Sequence, residues 1–276
     1  MKKLLTLVVL CGLVPAASAV DVFGTDIGVT AEVEFMSRYI WRGYNRMGSS
    51  PVWTPSVDFD LGGGFGASLA AYYANNAGQV DNTEYQYTLY YGGSALEGDV
   101  WKTDYVAGWR YYDLIDTSSK GSRNTGRQDL QELFVELEMP QLVGAGIVPR
   151  LSTYYVWQAR SGFNPAAADA GFEKFGYGWI FMGGFDYNFD IPELPEAPMT
   201  FSWDIAYNEG TGPGVDQDWS HMTWGLKSEI ACPMTGGTIT PQVYFQNTFE
   251  SSLNTDHSGP TNRDYLYCGI SYSIGF

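Results

Sequence analysis

From residue 26 onward the chain repeats one design: about ten residues alternating apolar or aromatic with polar, followed by a turn or a polar loop. In 26–42, Ile27, Val29, Ala31, Val33, Phe35, Tyr39 and Trp41 oppose Glu32, Glu34, Arg38 and Arg42. In 175–190, Tyr177, Trp179, Phe181, Phe185, Tyr187 and Phe189 oppose Gly178, Gly184, Asp186, Asn188 and Asp190, and 199–208 and 238–249 repeat the alternation. A period of two belongs to strands, whose successive side chains face opposite sides. The pattern predicts strands at 26–42, 51–61, 65–74, 83–92, 101–112, 128–139, 147–158, 175–190, 199–208, 219–231, 238–249 and 264–276. Twelve is an even number, as single-chain membrane barrels require. Counts of ten to fourteen also fit, because 92–100 is longer than a tight turn and 191–198 holds three prolines.

The connections alternate in length. Gly62-Gly63-Gly64, 140–146 and 232–237 are compact, whereas 113–127, 159–174, 209–218 and 250–263 are longer and polar. Short turns on one side of a membrane and longer loops on the other produce this rhythm. A soluble β-sandwich also alternates, but nearly every strand here carries Trp, Tyr or Phe toward the ends of its apolar face, as girdles at two membrane interfaces require. The expected fold is therefore all-β, an antiparallel up-and-down transmembrane barrel of about twelve strands. Pro55, Pro149 and Pro241 fall inside predicted strands, where each deletes a ladder donor, and are expected at strand ends or bulges.

The chain opens with Met1-Lys2-Lys3, an apolar run Leu4 to Val14, and Pro15-Ala16-Ala17-Ser18-Ala19. That order predicts a secretory signal over 1–19 and a single barrel domain over 20–276. The run is about 11 residues, short of the roughly 20 a membrane helix needs. Without the signal the chain carries 13 basic and 31 acidic residues, a formal charge of −18, which argues against nucleic acid as partner. Cys232 and Cys268 remain, at positions that the strand map separates by roughly 26 Å, too far for a disulfide. The last strand sets Leu266, Ile270, Tyr272, Ile274 and Phe276 on one face. Tyr272, Ile274 and the terminal Phe276 look like the signal read by the outer-membrane assembly machinery. Expected partners are that machinery, outer-membrane lipid and small solutes, with a monomer favoured.

Ser37-Arg38-Tyr39-Ile40-Trp41-Arg42-Gly43-Tyr44, continued by Gly48-Ser49-Ser50-Pro51-Val52-Trp53, resembles an uncharacterised family of proteobacterial outer-membrane proteins. Those proteins carry a similar Ser-x-Tyr-x-aromatic-Arg-Gly block near the mature N-terminus, then a polar loop and a proline-led second strand. The match covers about 30 residues. It implies a barrel in a Gram-negative outer membrane and implies no activity.

Catalysis needs a nucleophile, a base and an orienting group in reach. The histidines are His221 and His257; alternation turns Ser220 away from His221, so that pair is not expected to act, and no catalytic residue, metal site or cofactor is predicted. Lumen charges say more. Glu32, Glu34, Asp58, Asp60, Glu132 and Glu136 point inward by parity with Arg38, Arg42, Arg110 and Arg150, since a basic group facing lipid costs roughly 2–4 kcal/mol near the midplane. Together they are expected to form a selectivity ring in a channel for small hydrophilic solutes, cations or sugars. Inward Tyr72, Tyr90, Tyr112, Tyr154, Tyr244 and Tyr267 offer ring faces to such solutes. A closed barrel anchoring envelope partners is the second reading, and a lipid-modifying enzyme the third.

Overall fold

The computed structural model describes residues 20–22, 25–74, 83–114, 129–159, 175–213, 216–249 and 264–276. The expected signal at 1–19 and His257 lie outside them. Twelve long strands form the barrel: β1 Thr25–Met36, β2 Val52–Gly62, β3 Phe65–Ala74, β4 Thr83–Ala95, β5 Thr103–Leu114, β6 Leu130–Glu138, β7 Ile147–Gln158, β8 Gly178–Phe189, β9 Met199–Glu209, β10 Gln217–Ser228, β11 Thr238–Thr248 and β12 Tyr265–Gly275. Sequence neighbours pair antiparallel throughout, and β12 returns to β1, with Ile270 opposite Phe35 and Ser273 opposite Glu32. Phe276 ends this seam, donating to the Val29 carbonyl at 2.7 Å and accepting from the Val29 N–H at 3.2 Å. Closure matters because a bilayer offers no water to an unpaired strand edge.

The molecule is inside-out relative to a soluble sandwich. Leu69, Leu89, Leu133, Leu151, Phe181, Leu226, Leu266 and Ile270 are exposed on the outer wall, whereas Glu84, Glu132, Asn208 and Gln246 are fully or almost fully buried. Aromatic neighbours line the outer wall, among them Phe35 with Trp53 and Tyr155 with Trp179, each at 4.9 Å between ring centres. The buried apolar cluster of Tyr112, Leu130, Phe134, Tyr154, Val156 and Ile180 lies on the lumen side of β5 to β8.

Chain direction places the β2–β3, β4–β5, β6–β7, β8–β9 and β10–β11 connections at one end with Phe276, the turn end, and the longer connections at the loop end. At the tightest turn Gly62, Gly63 and Gly64 all take left-handed φ, of 82°, 62° and 87°, which glycine adopts without a Cβ penalty. Cys232 sits in the β10–β11 turn and Cys268 on the outer face of β12, both as free thiols.

Pro55 and Pro241 do not mark strand ends or bulges, whereas Pro149 stands near the start of β7, where its ladder with β6 ends. Pro55 and Pro241 lie within strands that pair on one side, opposite Val33 and Ile270, while the ladder on the other side skips them. Each proline lacks one N–H, so only one of its two ladders has to give way. Pro149 pairs with Phe185 on β8, and its carbonyl takes the Met139 N–H just past the end of β6.

Candidate functional site

β1 ends at Met36, not at residue 42. The Ser37 N–H donates to the Cys268 carbonyl at 2.8 Å and the Ser37 hydroxyl accepts the Cys268 N–H at 2.9 Å, fixing the chain to β12. Beyond this point the backbone enters the lumen as a small hairpin, with Ile40–Trp41 paired to Tyr44–Asn45. Arg42 and Gly43 form its tip, both left-handed at φ 49° and 87°. A side chain at Gly43 has no room: a Cβ there lies 2.5 Å from Nδ1 of His221.

Each face of the hairpin finds a partner on the wall. Arg42 donates to both oxygens of Glu132 on β6, at 3.0 and 3.4 Å, and its guanidinium lies 3.3 Å from the ring centre of Tyr154 on β7. Arg110 of β5 shares the same carboxylate at 3.2 Å. Trp41 donates to the Tyr112 hydroxyl at 3.0 Å and meets that ring edge-on. Arg46 pairs with Glu84 of β4 at 3.3 Å over the face of Trp41. Tyr39 donates to Glu84 at 3.0 Å, accepts from Gln86 at 2.9 Å and packs on Tyr72 of β3.

On the opposite side Gln246 of β11 donates to the Gly43 carbonyl at 2.9 Å, Arg38 lies over the Tyr265 ring of β12, and the Tyr44 hydroxyl donates to the Thr211 carbonyl after β9. Asn208 clamps Thr211 in turn, donating to its carbonyl at 3.0 Å and accepting its N–H at 2.6 Å. The hairpin thus spans the loop-end half of the lumen from β3 to β12.

Three expectations change. Tyr39 and Trp41 face the lumen instead of lipid, because each has a polar atom that needs a partner and finds one in Glu84 and Tyr112. Arg38 and Arg42 belong to the hairpin, not to the strand wall. The predicted ring is also not one ring. Arg110 and Glu132 join Arg42 at an upper level and Arg38 also stays at the loop end, over Tyr265, whereas the remaining members are spread toward the turn end. There Glu34 accepts from Gln242 at 2.5 Å, Asp58 from Tyr90 at 2.8 Å, Glu136 from Tyr154 at 2.8 Å, and Arg150 pairs with Asp186 at 3.1 Å. Asp60 accepts the Gly62 N–H at the mouth, and Glu32 stands on the lumen face opposite Ser273 and Ser56. The six inward tyrosines hold lumen positions as expected, with Tyr244 and Tyr267 stacked at 5.2 Å. Arg46, Glu84, Gln86 and Gln246 were not among the predicted site residues.

Ser220 and His221 also depart from expectation. Alternation predicts opposite faces, yet the Ser220 hydroxyl lies 2.9 Å from Nδ1 of His221, with both residues buried. The cause is a bulge: Ala206 faces His221 while Tyr207 faces Trp219, so Ser220 is the extra residue. The hydroxyl also reaches the Ala206 carbonyl at 3.3 Å, and the histidine ring lies against Gly43. Together they form the ledge on which the hairpin tip rests.

No family model matches this chain, and no curated protein does. Solved structures do resemble it. A KdgM porin aligns with a TM-score of 0.52 at 10% identity, over 90% of this chain and 99% of that one. A KdgM porin in complex with disordered oligogalacturonate gives 0.50 at 12% identity, over 90% and 99%. A NanC porin gives 0.50 at 12% identity, over 88% and 98%. The fold is accordingly that of outer-membrane porin barrels: a closed, twelve-stranded, antiparallel ring.

Proposed function

We propose that this protein is a narrow, monomeric outer-membrane channel for passive diffusion of small hydrophilic solutes, delivered to the envelope by its N-terminal signal and assembled through the Tyr272, Ile274 and Phe276 face of β12. The observation that carries this reading is a closed barrel whose interior is lined by acidic and basic side chains, a composition that an inert membrane anchor has no need of. Solute preference follows from which charges are spoken for. Oligogalacturonate, seen with the KdgM porin, is a polyanion. Here Arg42, Arg46 and Arg110 are committed to Glu132 and Glu84, while Glu34, Asp58 and Glu136 are hydrogen-bonded to neutral donors. That lining favours cations and neutral polar solutes. In planar bilayers the purified protein gives single-channel steps, and the double substitution Glu32→Lys/Glu34→Lys shifts the reversal potential toward anions. Absence of steps above the empty bilayer sinks the channel reading, and an unchanged potential removes those two carboxylates from the lining.

A second reading, a closed barrel that anchors envelope partners, is favoured by the number of wall strands the hairpin engages. The two readings make opposite forecasts for the bilayer experiment. We further propose that relatives with the Ser-x-Tyr-x-aromatic-Arg-Gly block seat it in the lumen in the same way.

A further inference from the structure

The cradle of Arg42 is built mostly from the wall. Its floor is Glu132, fully buried, whose two oxygens accept from Nη2 and Nε at 3.0 and 3.4 Å. Its cover is the Tyr154 ring, 3.3 Å from the guanidinium carbon, and the Tyr154 hydroxyl is tied down by Glu136 at 2.8 Å. Arg110 fixes the carboxylate from the side, reaching it at 3.2 Å and the Thr88 hydroxyl at 3.1 Å. A two-pronged acceptor under an aromatic face selects for a flat, delocalised cation with parallel donors. A guanidinium fills both features, whereas an ammonium is a point charge and matches only the first. A second station of the same design holds Arg46 between Glu84 and the rings of Trp41 and Tyr112.

On the reading of this protein as a channel, we propose that the Glu132 and Tyr154 cradle is a binding site for guanidinium-bearing solutes, and that Arg42 occupies it as a tethered surrogate of that cargo. Solute cations drawn into the acidic lumen meet the cradle, where they compete with Arg42. The tether gives Arg42 a high local concentration, so free guanidinium displaces it weakly. Its left-handed backbone works the other way and favours release. Seated, the hairpin obstructs the lumen; displaced, it opens a route along the wall.

Chemical rescue of the full-length protein tests this. Arg42→Ala empties the cradle and raises single-channel conductance. Adding guanidinium ion at about 10 mM then lowers that conductance at least about twofold and raises the melting temperature of the variant by about 2 °C or more, as a millimolar site requires. Equal concentrations of potassium or tetramethylammonium do neither, and Arg42→Ala/Glu132→Gln responds to none of them. Arg42→Lys keeps the charge without the fork and shows partial rescue, which guards against an Arg42→Ala chain that does not fold. If the folded Arg42→Ala variant is indifferent to guanidinium in both conductance and melting, the cradle is only a latch and the proposal falls. If no variant conducts while guanidinium still stabilises Arg42→Ala and not the double variant, the binding site stands and the channel reading fails.

Discussion

In the loop-end half of the lumen, Arg42, Arg46 and Arg110 answer Glu84 and Glu132, and both carboxylates are 0% exposed. Toward the turn end, Glu34, Asp58 and Glu136 take hydrogen bonds from an amide and two phenols, and the Arg150 and Asp186 side chains keep 31% and 22% of their surface. The contrast is one of solvation. Where water is excluded an ion needs its counter-ion, because an uncompensated buried charge costs several kcal/mol. Where water remains, a carboxylate can stand with neutral neighbours. The upper level is therefore a packed core that happens to be charged, and the lower level is a looser lining whose charged side chains stay partly exposed.

Substitutions at the two levels should differ in kind. The largest effect is expected for Glu132→Ala, which strands two guanidinium groups; breaking a buried pair costs about 3–5 kcal/mol. Urea unfolding in lipid vesicles should report that loss, capped if the hairpin leaves its seat, in which case conductance rises instead. A variant unchanged in both erases the distinction between levels. Next comes Gly43→Ala, where a Cβ 2.5 Å from His221 and an unfavourable φ of 87° are expected to cost about 2 kcal/mol. Its signature is local: faster amide exchange across 37–51 with the strands still protected. Smallest is Tyr90→Phe in the lower level, where water replaces the bond to Asp58 and the change stays within about 0.5 kcal/mol. A loss as large as that of Gly43→Ala would mean that the lower level is packed as well.

Most of the ring could be read from alternation. Phe65–Ala74 and Ile147–Gln158 begin and end where the period of two begins and ends, and the others differ by at most three residues at an end, except the first, which stops at Met36 instead of residue 42. The hairpin could not be read that way, since a two-residue-tipped hairpin keeps the alternation of the strand that leads into it. Tyr39 and Trp41 continued the apolar face on paper while the backbone had already turned inward. One signal was present in the length: a strand from 26 to 42 is far longer than the about 9–11 residues that cross a bilayer. Arg42-Gly43 at its end was the turn. The Ser220 bulge left no mark in the sequence, because an extra residue in a strand is visible only against its partner, Ala206 and Tyr207. Parity assigned the ring residues to the lumen side but carried no information on depth, so the two levels merged into one.

The bond from Gln246 to Gly43 joins residues 203 apart in the chain, and Tyr44 to Thr211 joins residues 167 apart. A segment made almost first during synthesis must therefore wait for the last strands before it can settle. The seat of residues 37–51 is complete only when β9, β11 and β12 are in place, so the same segment that is synthesised early depends on the latest part of the ring for its contacts.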